Sequence, residues 1–169
     1  SHFGGTRNGL AVSWPARITD AGGLRSQFHH VVDIAPTILE AAGVPWPDHV
    51  DGIEQMPVHG TPMGYSFDDE AASSRRTTQY FEILGNRAVY HDGWMASCFH
   101  GRVPWIRLAA YEFDGPDEHW ELYDITNDFS QSVDLSETFP EKLAELRALF
   151  EREAGANGVF PLRDAGSPR

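Results

Sequence analysis

Histidine, arginine and adjacent glycines meet near the start of the sequence, in His2 and the run Gly4-Gly-Thr-Arg-Asn-Gly9. Adjacent glycines let a backbone approach a ligand closely, and His2 and Arg7 are donors that an anion's oxygens would accept from. The competing reading is a tight turn into a buried strand, with Arg7 paired to a carboxylate. A second group is His29-His30-x-x-Asp33, where His29 and Asp33 stand four apart, a spacing at which metal ligands share a helix face. Here the competing reading is preferred: Asp33 suits a helix N-cap, and a residue ahead of the cap is off the helix. The third group is aromatic: Tyr80, Phe81, Tyr90, Trp94, Trp105, Tyr111, Trp120 and Tyr123. Aromatics alternating along strands are usually core. That leaves Trp105, in a proline-containing loop, as the candidate platform for a sugar or aryl group. Cys98, the only cysteine, closes a run containing Met95 and Ala96 and is expected to be a small buried residue that stays a thiol.

Glycine-rich phosphate loops, Walker motifs, H-E-x-x-H and G-x-S-x-G are absent. A formal net charge of −12 argues against nucleic acid or an anionic membrane as partner, since both need basic patches. Any anionic substrate would need a local concentration of Arg, Lys or His against that field. No apolar run approaches the ~18 residues of a membrane helix, and the start shows no basic region followed by an apolar stretch. One cysteine excludes an internal disulfide framework and leaves the compartment open between a bacterial cytoplasm and a periplasm. At 169 residues, 41% of them hydrophobic, the chain can bury the core of one domain or slightly more.

The elements that must position these residues change type along the chain. Residues 9–14 are a short apolar run stopped by Pro15 and read as a buried strand. A helix is expected from an Asp33 N-cap, with Ile34, Ile38, Leu39 and Ala42 on one face, ended by Gly43 and Pro45. Residues 46–76 are rich in Pro, Gly, Asp and Ser and read as an irregular connection. Strands are expected at 77–84, 87–91, 94–98 and 120–124. Gly85-Asn86 and Asp92-Gly93 supply the turns. A capping box at Thr138-Phe-Pro-Glu141 opens a final helix whose stripe is Phe139, Leu143, Leu146, Leu149 and Phe150. The expected class is α+β: a small antiparallel sheet of about four strands with a C-terminal amphipathic helix, preceded by one strand–helix unit of a larger α/β sheet. The expected divisions are 1–45, 46–76, 77–158 and a linker at 159–169.

Several segments in series resemble the C-terminal portion of a type I sulfatase, closest to long bacterial arylsulfatases. They are Gly4-Gly-Thr-Arg7, Asp33-Ile-Ala-Pro-Thr37, Asp51-Gly52, the hairpin Gly85 to Trp94, Glu121-Leu-Tyr-Asp124 and Pro140-Glu-Lys-Leu143. In that family a cysteine in C-x-[PA]-x-R becomes a formylglycine nucleophile. Here Cys98-Phe-His-Gly-Arg102 has the Cys-to-Arg spacing but carries His100 where Pro or Ala is needed, and it lies too late in the chain.

The resemblance implies a parent sulfuric ester hydrolase of the alkaline phosphatase superfamily, acting on a sulfated small molecule. Its formylglycine, its calcium or magnesium ion and the carboxylates that hold the ion would precede Ser1. Only His2, and Arg7 as a pocket wall, carry over as site residues, with no metal or cofactor ligand in this chain. The chain is expected to be inactive alone and to partner the upstream catalytic portion of the same protein. Two other readings remain: part of a phosphatase or phosphonate hydrolase of the same superfamily, or a non-catalytic interaction or oligomerisation module.

Overall fold

The computed structural model describes residues 7–101, 113–115 and 117–162. The expectations for His2, Arg102, Trp105 and Tyr111 therefore lie outside the described residues. The chain divides into two compact units, Leu10–Thr77 and the residues from Thr78 onward together with 7–9.

The first unit is mostly irregular. A 3₁₀ turn, Val31–Asp33, leads into helix α1, Ile34–Ala42. The helix stops as expected: Gly43 takes a left-handed conformation at φ 65° and Val44 N–H donates to the Leu39 carbonyl. A two-residue hairpin follows, β1 (His49–Val50) with β2 (Ile53–Glu54). Residues 9–14 differ from the expectation. They join no ladder, and Leu10 and Val12 are exposed. A strand exists only with a partner offering complementary N–H and C=O groups, and the described residues supply none. Pro36 and Met63 are the only buried apolar side chains of this unit among the described residues.

The second unit carries the core. Strands β3 (Thr78–Ile83), β4 (Asn86–His91), β5 (Trp94–Cys98) and β6 (Trp120–Asp124) form one antiparallel sheet in sequence order. Both tight turns place two residues at positive φ, Leu84 with Gly85 and Asp92 with Gly93, which matches the twist of the flanking strands. The first turn thus sits one residue earlier than expected, because Asn86 already pairs with Ile83. Helix α2, Pro140–Ala156, lays Leu146, Leu149, Phe150 and Ala154 on Val89, Ala96, Cys98 and Leu122. The expected α+β architecture is present: four antiparallel strands covered by a C-terminal helix.

Two details of α2 differ. The capping box does not form, since Phe139 is the N-cap and no side chain caps the first turn. Pro140, in the first turn, lacks one of the N–H groups a cap would satisfy. Phe139 stands outside the helix, 45% exposed, and meets the Trp94 ring edge-on at 5.7 Å. After the helix, Val159 packs on the core and Phe160 meets Phe150.

Candidate functional site

Arg7 is exposed, and its guanidinium carbon lies 4.2 Å from the centre of the Phe129 ring. The loop that presents Phe129 follows β6 and is fixed from within. Asp124 accepts from the Thr126 hydroxyl at 2.6 Å and from the Asn127 side chain at 2.7 Å. Asp128 accepts from Ser132 N–H at 2.6 Å, Val133 N–H at 2.8 Å and the hydroxyls of Ser130 and Ser132. The Thr126 hydroxyl holds the Asp124 carboxyl below its ordinary range, and the Val133 N–H does so for Asp128. Both carboxylates are occupied in building the turn.

Asp33 is fully buried, and in place of capping α1 it closes the capping box of the 3₁₀ turn with His30. Its side chain caps nothing on α1. It accepts from His30 N–H at 2.9 Å, Thr61 N–H at 2.8 Å, and Nε and Nη2 of Arg76 at 3.0 and 2.5 Å. Burial pushes the Asp33 carboxyl up, but Arg76 and the two backbone donors outweigh it, so the carboxyl stays ionised below its ordinary range. His29 Nδ1 comes to 3.5 Å from Asp33, and burial lowers its pKa against the pull of that carboxylate. A carboxylate committed to arginine and two amides makes a poor metal ligand or base. Among the described residues, no three His, Cys, Asp or Glu side chains gather as a cation site.

The second unit holds a buried charged network that the sequence did not disclose. Register aligns Arg87, Cys98 and Trp120 in one row across β4, β5 and β6. Glu118 receives both Arg87 Nη2 and His100 Nδ1 in short contacts. Arg87 also reaches Asp114 at 3.3 Å and the Cys98 sulfur at 3.5 Å. The His100 ring stacks on Phe113 at 3.9 Å, and Gly85 leaves room on the ring, where a Cβ would come within 2.4 Å. Burial raises the Cys98 pKa, with Arg87 opposing. Cys98 is therefore an inaccessible thiol, not a nucleophile. Its position as the last residue of a paired strand was the available signal; Glu118, in an irregular segment, gave none.

A cleft of about 390 Å³ opens beside this network, lined by Asp114, Glu118, Trp120, Glu137 and Arg147 among others. Arg147 and His119 line it with three carboxylates, of which Asp114 and Glu118 are already paired with Arg87.

Comparison with known proteins accounts for this architecture. Residues 4–151 match the family model of the N-sulphoglucosamine sulphohydrolase C-terminal region. The uncharacterized sulfatase PB10D8.02c of Schizosaccharomyces pombe is 29% identical over 137 residues, covering 78% of this chain and 23% of that protein. Arylsulfatase K of Bos taurus is 26% identical over 126 residues, covering 69% of this chain and 20% of that protein. The chain thus spans less than a quarter of the length of these curated relatives. Among solved structures, BT4656, described in complex with its substrate D-glucosamine-2-N,6-O-disulfate, superposes with TM-score 0.50 at 18% identity, over 76% of this chain and 24% of that one. Ps i-CgsB gives TM-score 0.51 at 19% identity, over 76% and 25%. These two likenesses bear on the fold alone.

Proposed function

The chain belongs to the sulfatase family as a C-terminal portion, and from that premise we propose that it is the supporting part of a sulfuric ester hydrolase, inactive by itself. In this reading the nucleophile and the divalent cation belong to the preceding portion of the same protein, and this chain braces that portion and contributes a rim to the pocket. Arg7 forms part of the pocket wall, facing the anionic ester, and His2 is the second residue assigned to the site. The buried carboxylates here, Asp33 and Glu118, are each neutralised by an arginine, which fits a structural task better than cation binding.

The observation that carries this reading is the uncovered face of the first unit. Val31, Ile34 and Ile38 recur at helical spacing and are 69%, 37% and 60% exposed, and Leu10 and Val12 of the same unit are exposed as well. An apolar stripe of this kind marks a surface that a partner covers. Because the chain spans less than a quarter of the relatives' length, the partner that this reading assigns to the surface is the catalytic portion.

Expression of the full-length protein, matured with a formylglycine-generating enzyme, tests the reading with a chromogenic aryl sulfate. Metal-dependent turnover is expected from the full protein and none from this chain. Turnover by this chain alone, or a full-length protein that cleaves phosphate esters and no sulfate ester, overturns it. Self-association of the isolated chain through Ile34 and Ile38, retained in the full-length protein, would favour an oligomerisation module instead.

A further inference from the structure

We propose that the β1–β2 hairpin is a docking knob, its Val50 and Ile53 side chains seated in an apolar recess rimmed by lysine and arginine on the preceding catalytic portion. The inference rests on the reading of this chain as the supporting part of that enzyme, and the knob is additional to the face formed by Val31, Ile34 and Ile38. Every residue from 41 to 54 is exposed, and within Leu10–Thr77 no other helix or strand packs on the hairpin. A lone two-stranded hairpin is marginal in water, so a ladder this short calls for a surface to lie on. Its shape is nevertheless set. Asp51 and Gly52 both take positive φ, at 51° and 78°, and beyond the paired residues Gln55 N–H donates to the Asp48 carbonyl at 2.8 Å.

Register sorts the side chains. Val50 pairs with Ile53 and His49 with Glu54, so the two apolar residues share one face and the two polar ones the other. Ile53 is 68% exposed, and Met56, two residues past β2, is 77% exposed. The chemistry of the occupant follows from the charges around the pair. Asp48, Asp51 and Glu54 flank it in sequence, and among the described residues none of the three carboxylates has an ion-pair or hydrogen-bond partner. Three uncompensated carboxylates select a basic rim and disfavour a second copy of a chain whose net charge is −12. Because this chain spans less than a quarter of its relatives' length, the occupant assigned to the knob is the preceding portion of the same protein.

Hydroxyl-radical footprinting of this chain, dilute and monomeric, beside the full-length protein reads the contact. Labelling of Ile53 and Met56 should fall several-fold in the full-length protein. There, Ile53→Lys should return Met56 labelling to the level of the isolated chain, Glu54→Lys should raise it part of the way, and Ile53→Leu should leave it low. A full-length protein that protects Val31, Ile34 and Ile38 but leaves Ile53 and Met56 labelled as in the isolated chain overturns the docking knob and spares the supporting-part reading. Loss of protection at both places sinks that reading and the knob with it. Protection that grows with the concentration of the isolated chain assigns the hairpin to a second copy and overturns the proposal. Unchanged Met56 labelling in a folded Ile53→Lys or Glu54→Lys protein overturns it as well.

Discussion

Arg76 closes on Asp33 across 43 residues of sequence, with its Nε and Nη2 on a carboxylate that is fully buried. The same carboxylate takes the N–H of Thr61, and Thr37, one turn into α1, donates to the Asp33 carbonyl at 2.6 Å and accepts from Met63 N–H. Arg76 in turn donates to the His59 carbonyl. With so few buried apolar side chains in this unit, the polar junction does much of the holding. A paired buried charge specifies one arrangement, because every alternative strands a charge.

Arg76→Ala should accordingly destabilise the unit Leu10–Thr77 by about 3–5 kcal/mol, the usual cost of breaking a buried pair from one side. Arg76→Lys should recover only part of this, since an ammonium cannot meet both oxygens as a fork. Hydrogen exchange at Thr61 and Met63 in the full-length protein measures it; unchanged protection in Arg76→Ala would contradict the assignment.

Acid should loosen the same unit in two stages. Burial lowers the pKa of His29 and His30 from 6.5, so both are neutral in the fold and their contribution is complete above that value. As pH falls below about 6.5, the unfolded chain takes up protons more readily and stability declines. The second stage belongs to carboxylates. Asp68 accepts from the Thr19 N–H and hydroxyl and is lowered to about 2, and Asp33 is lowered as well. Their contribution is present above the unfolded value of 3.8 and is lost as pH falls through the folded values. Thermal melts between pH 8 and pH 2 should show both declines, and His29→Gln with His30→Gln should flatten the first.

Cys98 should remain a thiol during co-expression with a formylglycine-generating enzyme. It is fully buried, paired with both Arg87 and Trp120, and burial raises its pKa. Intact mass spectrometry checks this, and any aldehyde at Cys98 would overturn its structural role. Cys98→Ala should cost about 1–3 kcal/mol through the small cavity it leaves.

Gly85→Ala should destabilise the second unit by more than about 1 kcal/mol, since a left-handed backbone and an occupied space oppose the methyl together. Gly85 sits at φ 82°, and the added Cβ would come within 2.4 Å of the His100 ring and 2.9 Å of Phe113. Denaturant melts read the effect. A neutral substitution would mean that the His100 ring is not held against this turn.

Local chemistry made the second unit legible from sequence. Asp92-Gly93 is a turn because both residues tolerate positive φ, and the spacing of Leu143, Leu146, Leu149 and Phe150 defines the covered face of α2. Leu84 escaped notice because a leucine at φ 53° is unusual, and the register of the hairpin put it there. Nonlocal pairings were the harder part. The capping rule for Asp33 looks only a few residues ahead, while its partner stands at position 76. Arg87, His100 and Glu118 meet because the sheet pairs Arg87 with Cys98 and Cys98 with Trp120, and His100 and Glu118 each stand two residues beyond those strands; nothing in the pattern around Glu118 announces a buried carboxylate. Residues 9–14 carry a strand's composition, but a ladder depends on a second segment. Of the expected site residues, Arg7 acquired a neighbour, Phe129, that no motif links to it.

The dependence of the first unit on a covering partner is tested most directly by hydrogen exchange on this chain, dilute and demonstrably monomeric, beside the full-length protein. In the isolated chain, amides of residues 10–42 should exchange much faster than those of the hairpin Tyr90–Trp94, whose sheet is covered by α2. In the full-length protein the two regions should approach equal protection, as Val31, Ile34 and Ile38 become buried. Equal protection of residues 10–42 and the hairpin in the isolated monomer would contradict the account, because the apolar face would then need nothing to cover it.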